Sequence, residues 1–327
     1  LDGEPLWNQG KARAVRQFAK DHKTDLKQSY AYANGDEDIA FLSSVGRPMA
    51  LNAGTQLAEV AETHQWPQTR FSVRRKMPLS AKLRTVASYS AMAGSFLGGL
   101  AANKLGVPQK QALNFITAVA PEMGLAAAGI ELNIIGEENL WAERPAVFVF
   151  NHQSPLDLVI AINLMRKNAT GVVKQEAADM LGWGQFLKFM DAAFVDRADP
   201  EKARAALAPA VEKLKKGMSL GICPEGTRSY SPRMGPFKKG AFHMAMQAQV
   251  PIVPVVLRNA GEVMHRNAGW MRSGVVDICV LPPISVEKWK RENLDQHIAD
   301  VRQLFIDTLD QWPKHGTVKA VRRKLAA

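Results

Sequence analysis

His152 and Asp157, five positions apart, have the residue types and spacing for proton transfer. They lie in Asn151-His152-Gln153-Ser154-Pro155-Leu156-Asp157, directly after the apolar run Ala146-Val147-Phe148-Val149-Phe150. The run, rich in β-branched and aromatic residues, reads as a short buried strand. Ser at an N-cap followed by Pro at the first helical position is a helix-start signal, so Ser154-Pro155 opens a helix. Asp157 then falls in the first helical turn. From there it can accept a hydrogen bond from one ring nitrogen of His152 and leave the other free to take a proton. The same residues fit a helix cap equally well, with Asp157 capping and His152 a loop residue. The stretch by itself does not separate the two.

Three further stretches carry groups of related chemistry. Phe194-Val195-Asp196-Arg197 is a strand ending in an arginine; Cys223-Pro224-Glu225-Gly226-Thr227-Arg228-Ser229 follows the apolar run Ser219–Ile222; and Val250-Pro251-Ile252-Val253-Pro254-Val255 is a strand bracketed by prolines. Each lies at a strand end, where α/β proteins place their sites. Arg197 and Arg228 are planar, permanently charged donors suited to bidentate phosphate recognition. Glu225 would buttress an arginine or a loop, and Gly226 permits close backbone approach. No serine or cysteine nucleophile elbow of the Gly-x-Ser-x-Gly type is read, so the hydroxyl to be deprotonated is expected to belong to a substrate. The sum is a base, a phosphate clamp and a substrate alcohol.

The 327 residues suffice for two domains, or for one large domain with additions, and the 46% hydrophobic content is that of a globular chain. Lys and Arg number 42 against 31 Asp and Glu, a net charge of +11, which calls for an anionic partner. A phospholipid surface, a phosphorylated substrate or nucleic acid would satisfy it. Modest aromatic content and the lack of a zinc-finger spacing or helical DNA-reading motif argue against nucleic acid. Two cysteines, Cys223 and Cys279, sit in apolar strand-like runs and read as buried thiols in a reducing compartment. The chain opens on Leu1, without a signal peptide, and its first residues read as the middle of a domain, so an N-terminal truncation is expected.

The elements that must position these groups follow an α/β alternation. Residues 1–70 read helix, strand, helix, strand, helix, a fragment of a parallel α/β domain. Residues 71–130 hold a basic run (Arg74, Arg75, Lys76, Lys82, Arg84) and two weakly apolar segments, joined at Gly106-Val107-Pro108. They predict a helical hairpin lying in or against a bilayer, with the basic run meeting lipid phosphates and Gly94, Gly98 and Gly99 allowing close packing. A soluble hairpin is the competing expectation. Residues 131–312 alternate strand and helix candidates and form the catalytic domain; 313–327 is a basic tail. The expected class is α/β, with a mixed sheet covered by helices.

The His-x-x-x-x-Asp motif at His152 and Asp157, with Pro224-Glu225-Gly226-Thr227-Arg228-Ser229 some seventy residues later, resembles the glycerolipid acyltransferase family, in particular its bacterial 1-acyl-glycerol-3-phosphate acyltransferase branch. All four blocks recur in order over roughly residues 131–285, and Lys174-Gln175-Glu176 matches a Lys–Glu feature of the family. One departure is Cys223, where the family usually has Phe. The resemblance implies acyl transfer from a thioester, acyl-CoA or acyl carrier protein, to the free hydroxyl of lysophosphatidate, giving phosphatidate. His152 would be the general base and Asp157 its partner. Arg197, Glu225, Gly226, Thr227, Arg228 and Lys174 would form the phosphate site, and Pro254 would shape the acyl-donor pocket. No metal or cofactor is needed. A membrane-associated enzyme on the cytoplasmic face of the inner membrane is implied.

A second resemblance covers the N-terminal region. Gly10-Lys11-Ala12, the strand Tyr30–Ala33, the acidic cluster ending at Asp38, Val45-Gly46-Arg47-Pro48 and Leu51-Asn52 look like the C-terminal part of a haloacid-dehalogenase-type, phosphoserine-phosphatase-like domain. In that family the lysine matching Lys11 stabilises a phosphoryl aspartate, and two acidic residues hold Mg²⁺. Here the nucleophilic Asp-x-Asp-x-Thr motif is lacking and Asn34 takes the first metal position. A remnant without chemistry is the expectation. Phosphatase activity of a longer protein and a non-catalytic membrane- or anion-binding scaffold are the alternative functions.

Overall fold

Val147–Phe150 is apolar at every position and buried at every position, as expected of a strand covered on both faces. It is the centre of the second of two units, Leu1–Lys76 and Met77–Ala327, into which the chain divides. The computed structural model describes residues 9–70, 77–179, 183–195, 207–228 and 234–313.

In the first unit, α1 (Gln9–Asp21), β1 (Tyr30–Ala33), α2 (Ile39–Leu42), β2 (Arg47–Leu51), α3 (Thr55–Thr63) and β3 (Gln68–Thr69) build a three-stranded sheet in the order β1-β2-β3. All of its pairings are parallel. Leu42, Leu57 and Ala61 close a small core against Ala31 and Ala50. Lys11 Nζ meets Asp38 Oδ1 at 2.5 Å, and Asp36 Oδ1 accepts the N–H of Leu57. The short β3 adds a strand beyond the five elements read from sequence.

The second unit opens with the helices α4 (Leu79–Lys104) and α5 (Gln109–Ala128). The turn between them falls at the expected Gly106-Val107-Pro108, and α5 ends on Gly129 in the left-handed conformation that glycine tolerates. Of the three glycines expected to allow close packing, only Gly99 does so: a Cβ there would come 2.3 Å from Ile116 Cγ1, whereas Gly94 and Gly98 face open space. Gly124 of α5 supplies a second close approach, against Met92. The base of α4 is tied to the sheet, because Thr85 Oγ1 accepts the Met271 N–H at 2.9 Å and Arg84 donates to Ser273 Oγ. Arg84, expected to face lipid phosphate, is thus engaged within the protein; Arg74, Arg75 and Lys76 lie outside the described residues. No helix among the described residues is long and apolar enough to cross a membrane.

The rest alternates: β4 (Ile130–Ile135), α6 (Asn139–Ala142), β5 (Val147–Phe150), α7 (Leu156–Met165), β6 (Ala169–Lys174), α8 (Trp183–Phe189), β7 (Ala193–Val195), α9 (Ala208–Lys215), β8 (Ser219–Ile222), α10 (Gly240–Ala248), β9 (Ile252–Leu257), α11 (Ala260–Val263), β10 (Gly274–Val280) and α12 (Leu294–Asp310). Residues 196–206 and the basic tail after 313 lie outside the described residues. Seven strands run β4-β10-β9-β5-β8-β6-β7. Among the described strands β9 and β10 pair antiparallel and the other neighbours pair parallel, so the sheet is mixed, as expected. The period of two divides the core: Phe148 and Phe150 pack with α5 and α7, whereas Val147 and Val149 pack with α9, α10 and α12.

Candidate active site

The loop after β5 is pinned before any catalytic group appears. Asn151, 1% exposed, donates through Nδ2 to the Leu257 carbonyl at 2.8 Å and accepts the Leu257 N–H on Oδ1 at 2.7 Å. This two-point bond extends the β5–β9 ladder by one side chain and aims the chain as it leaves the sheet. Ser154 then accepts the Leu156 N–H and donates to the Met264 carbonyl at 2.6 Å, which starts α7 and ties it to the segment after α11.

Asp157, 1% exposed, gathers three donors on one oxygen. Its Oδ2 lies 2.8 Å from His152 Nδ1, 2.7 Å from Gln153 N and 2.8 Å from Ser154 N. The cap and the pairing with His152, which the sequence leaves level, therefore coexist on a single atom. A carboxylate at Nδ1 favours the tautomer with the ring proton on that nitrogen, which leaves the lone pair on Nε2.

Glu225 occupies a different place from the phosphate contact that the resemblance implies. It is 7% exposed; Oε1 accepts the backbone N–H of His152 at 2.8 Å and Oε2 that of Gly235 at 2.9 Å. Burial pushes its carboxyl above the ordinary carboxylate range, and those two N–H groups draw it part of the way back. Both oxygens are spent on backbone, so Glu225 braces the loop that carries the histidine. This is the loop-buttress reading of the residue.

Lys174, at the end of β6, and Gly226, Thr227 and Arg228, in the turn after β8, line one cavity with His152 and Asp157. The cavity measures about 370 Å³. Most of its wall is apolar, with Met92, Leu125, Phe150, Ile162, Leu187 and Met271 contributed by helices, strand and loop. Sequence reading misses this lining, because its residues come from segments up to 179 positions apart, Met92 to Met271. Arg197 lies outside the described residues. Pro254 is not at the cavity: it sits inside β9, in register with Val149, where its carbonyl accepts the Leu281 N–H. The acyl-donor role expected of Pro254 therefore finds no support at this cavity.

Cys279 is buried in β10, and burial pushes its thiol up to about 12, in keeping with an inert packed thiol. Cys223 departs from expectation: it is half-buried, lies just past β8 and lines the cavity. Gly217-Met218-Ser219-Leu220-Gly221 spells the pattern of a nucleophile elbow. Ser219, however, opens β8 at 1% exposure, and its hydroxyl accepts the Ala146 N–H. It does not border the cavity and is not placed to attack a substrate there.

Arg266, which no motif marks, straps Arg228. Arg228 Nη1 donates to the Arg266 carbonyl, and Arg266 Nη1 donates to the Arg228 carbonyl at 2.8 Å. Gly226 is required by its backbone: φ is +74°, and a Cβ would lie 2.9 Å from Lys238 Cε. Gly226→Ala is expected to lower unfolding stability by about 1–3 kcal/mol, read from denaturant melts. An unchanged midpoint would show that the turn relaxes freely.

The acyltransferase family model matches residues 131–258, which hold His152, Asp157, Lys174, Arg197, Glu225, Gly226, Thr227, Arg228 and Pro254. A 1-acyl-sn-glycerol-3-phosphate acyltransferase of Saccharomyces cerevisiae is 35% identical over 188 residues, 56% of this chain and 61% of the yeast protein. An uncharacterized acyltransferase of Schizosaccharomyces pombe is 34% identical over 203 residues, 60% of this chain and 72% of its own. A 1-acyl-sn-glycerol-3-phosphate acyltransferase of Salmonella typhimurium is 32% identical over 161 residues, 49% of this chain and 65% of the relative. The chain thus spans less than two thirds of the yeast and Salmonella proteins. In fold it is similar to the crystal structure of the 1-acyl-sn-glycerophosphate (LPA) acyltransferase of Thermotoga maritima. The TM-score is 0.60 at 21% identity, over 72% of this chain and 98% of that one. By the family match and the extent of its identity to these relatives, the chain belongs to the acyltransferase family.

Proposed function

We propose that the chain transfers an acyl group from a thioester, acyl-CoA or acyl carrier protein, to the free hydroxyl of a lysophosphatidate-like acceptor, yielding phosphatidate. The observation that carries this reading is the His152–Asp157 pair at the wall of a mostly apolar cavity that also holds Arg228 and Lys174. His152 Nε2 takes the hydroxyl proton as the acceptor oxygen bonds to the thioester carbonyl carbon. Collapse of the tetrahedral adduct breaks the C–S bond, and the imidazolium returns the proton to the leaving thiolate. Arg228, Lys174 and Arg197 are assigned to the acceptor phosphate, and Thr227 and Gly226 to the same mouth. The reaction so drawn has no step that calls on a metal or cofactor.

A labelled-thioester assay over a panel of acceptors tests the reading. Transfer to lysophosphatidate is expected to exceed transfer to a phosphate-free monoacylglycerol. Arg228→Ala should raise the KM for lysophosphatidate by roughly 10- to 100-fold, as loss of a charge-assisted phosphate contact requires, and should leave the phosphate-free acceptor unaffected. Equal use of both acceptors by the unmodified protein would sink the phosphate assignment.

We further propose that the α4–α5 hairpin docks on a phospholipid surface from the cytoplasmic side. Leu79, Leu83 and Val86 follow one another at helical spacing on α4 and are 71%, 61% and 54% exposed. Trp270, also exposed, lies beneath Lys82, a pairing suited to the headgroup level. Replacing Leu83 and Val86 together by Glu removes two apolar contacts of about 1.5–3 kcal/mol each. Co-sedimentation with anionic vesicles should then fall at least tenfold, and undiminished binding would exclude this face. For residues 9–70 we retain the haloacid-dehalogenase-like fragment as a proposal, supported by the all-parallel strand order and the Lys11–Asp38 pair.

A further inference from the structure

Glu225 holds the histidine loop only if its second oxygen is held as well, and the residue that secures that side is Arg302. The guanidinium of Arg302, on α12, donates from Nε to the Gly235 carbonyl at 2.8 Å and from Nη2 to the Met234 carbonyl at 2.6 Å. The same Gly235 donates its N–H to Glu225 Oε2 at 2.9 Å, and Glu225 Oε1 accepts the His152 N–H at 2.8 Å. Four residues therefore form one unbroken line of hydrogen bonds from the last described helix to the backbone of the proposed base.

Two further contacts clamp the 234–238 loop. Phe305, one turn along α12 from Arg302, packs edge-on against Phe237 at 5.3 Å, and Lys238 N–H donates to the Pro224 carbonyl at 2.8 Å. An arginine suits this task because its rigid fork reaches two consecutive carbonyls at once, which a lysine ammonium does not reproduce. The buried Glu225 carboxylate also needs a donor that stays in place, since a buried anion without its N–H partners is costly.

We infer that Arg302 is a positioning residue for acyl transfer, acting on His152 through Gly235 and Glu225. It stands 44 residues beyond the end of the family match at residue 258, on a helix that carries no motif. The inference rests on the acyl-transfer reading for its kinetic consequence, but its structural consequence needs no substrate.

The test compares the whole chain with Arg302→Ala, Arg302→Lys and, as a control on the exposed side of the same helix, Gln303→Ala. Amide hydrogen exchange is followed at His152 and Gly235, and kcat and KM are measured with a thioester donor and lysophosphatidate. In Arg302→Ala both amides should exchange faster, by on the order of tenfold, while those of β5 and β9 keep their protection. The kcat should fall by on the order of tenfold with the acceptor KM within about twofold, since the phosphate contacts are untouched. Arg302→Lys should fall between the two, and Gln303→Ala should match the unmodified protein. Should Arg302→Ala not fold, Arg302→Lys carries the same exchange readout. Unchanged exchange at both amides in a folded variant, or a loss confined to KM, would overturn the inference. An unmodified chain inactive with every acceptor would count against the acyl-transfer reading alone, and the exchange result would then decide the strap by itself.

Discussion

His152→Ala is expected to lower kcat for acyl transfer by about 100- to 10,000-fold, the range that a positioned general base contributes. In the proposed mechanism the imidazole takes the proton of the acceptor hydroxyl, and no neighbouring carboxylate is placed to replace it: Asp157 is buried with three donors on its Oδ2, and both oxygens of Glu225 accept backbone N–H groups. The fold should tolerate the change. Asp157 Oδ2 keeps the N–H groups of Gln153 and Ser154, so the stability loss should stay near 1–2 kcal/mol. Steady-state kinetics together with thermal melts check both statements. A variant that melts normally and transfers acyl groups at the unmodified rate would remove His152 from the mechanism.

Asp157→Ala should do more damage of a different kind. It removes the one acceptor for His152 Nδ1, Gln153 N and Ser154 N, and Ser154 is fully buried. Buried donors left unpaired cost about 1–3 kcal/mol each, so a loss of at least about 3 kcal/mol is expected on top of the loss of activity. Asp157→Asn separates the two effects. The amide oxygen can still accept from the backbone, so most stability should return; the charge and the tautomer control are lost, so kcat should stay as low as in His152→Ala. The double variant His152→Ala, Asp157→Asn should be no slower than either single variant, because the two act as one unit. Additive losses would show that they act independently.

Much of the site was legible because its signals are local. The five-residue spacing of His152 and Asp157, and the Ser-Pro helix start between them, concern one strand-to-helix turn whose geometry follows from neighbouring residues. The same holds for strand β5, apolar throughout. What was not legible depends on partners far along the chain. Glu225 sits in a motif that suggests a phosphate contact, yet its oxygens bond to backbone 73 positions before it and 10 after it. Pro254 looks like a pocket residue, yet it does not line the cavity that holds His152. Gly94, Gly98 and Gly99 read alike until only Gly99 meets Ile116.

The sequence by itself determined the kinds of groups present, the α/β alternation and the spacing that lets Asp157 reach His152, since each follows from residues within a few positions. Only the tertiary structure decided that Asp157 serves as cap and partner at once, that Glu225 is a brace, and that Arg266 and Arg302 hold the loops of the site. The reason is physical. A side chain's hydrogen-bonding capacity is written in its type, but the partner that satisfies it is whichever group the packed sheet and helices bring within 3 Å.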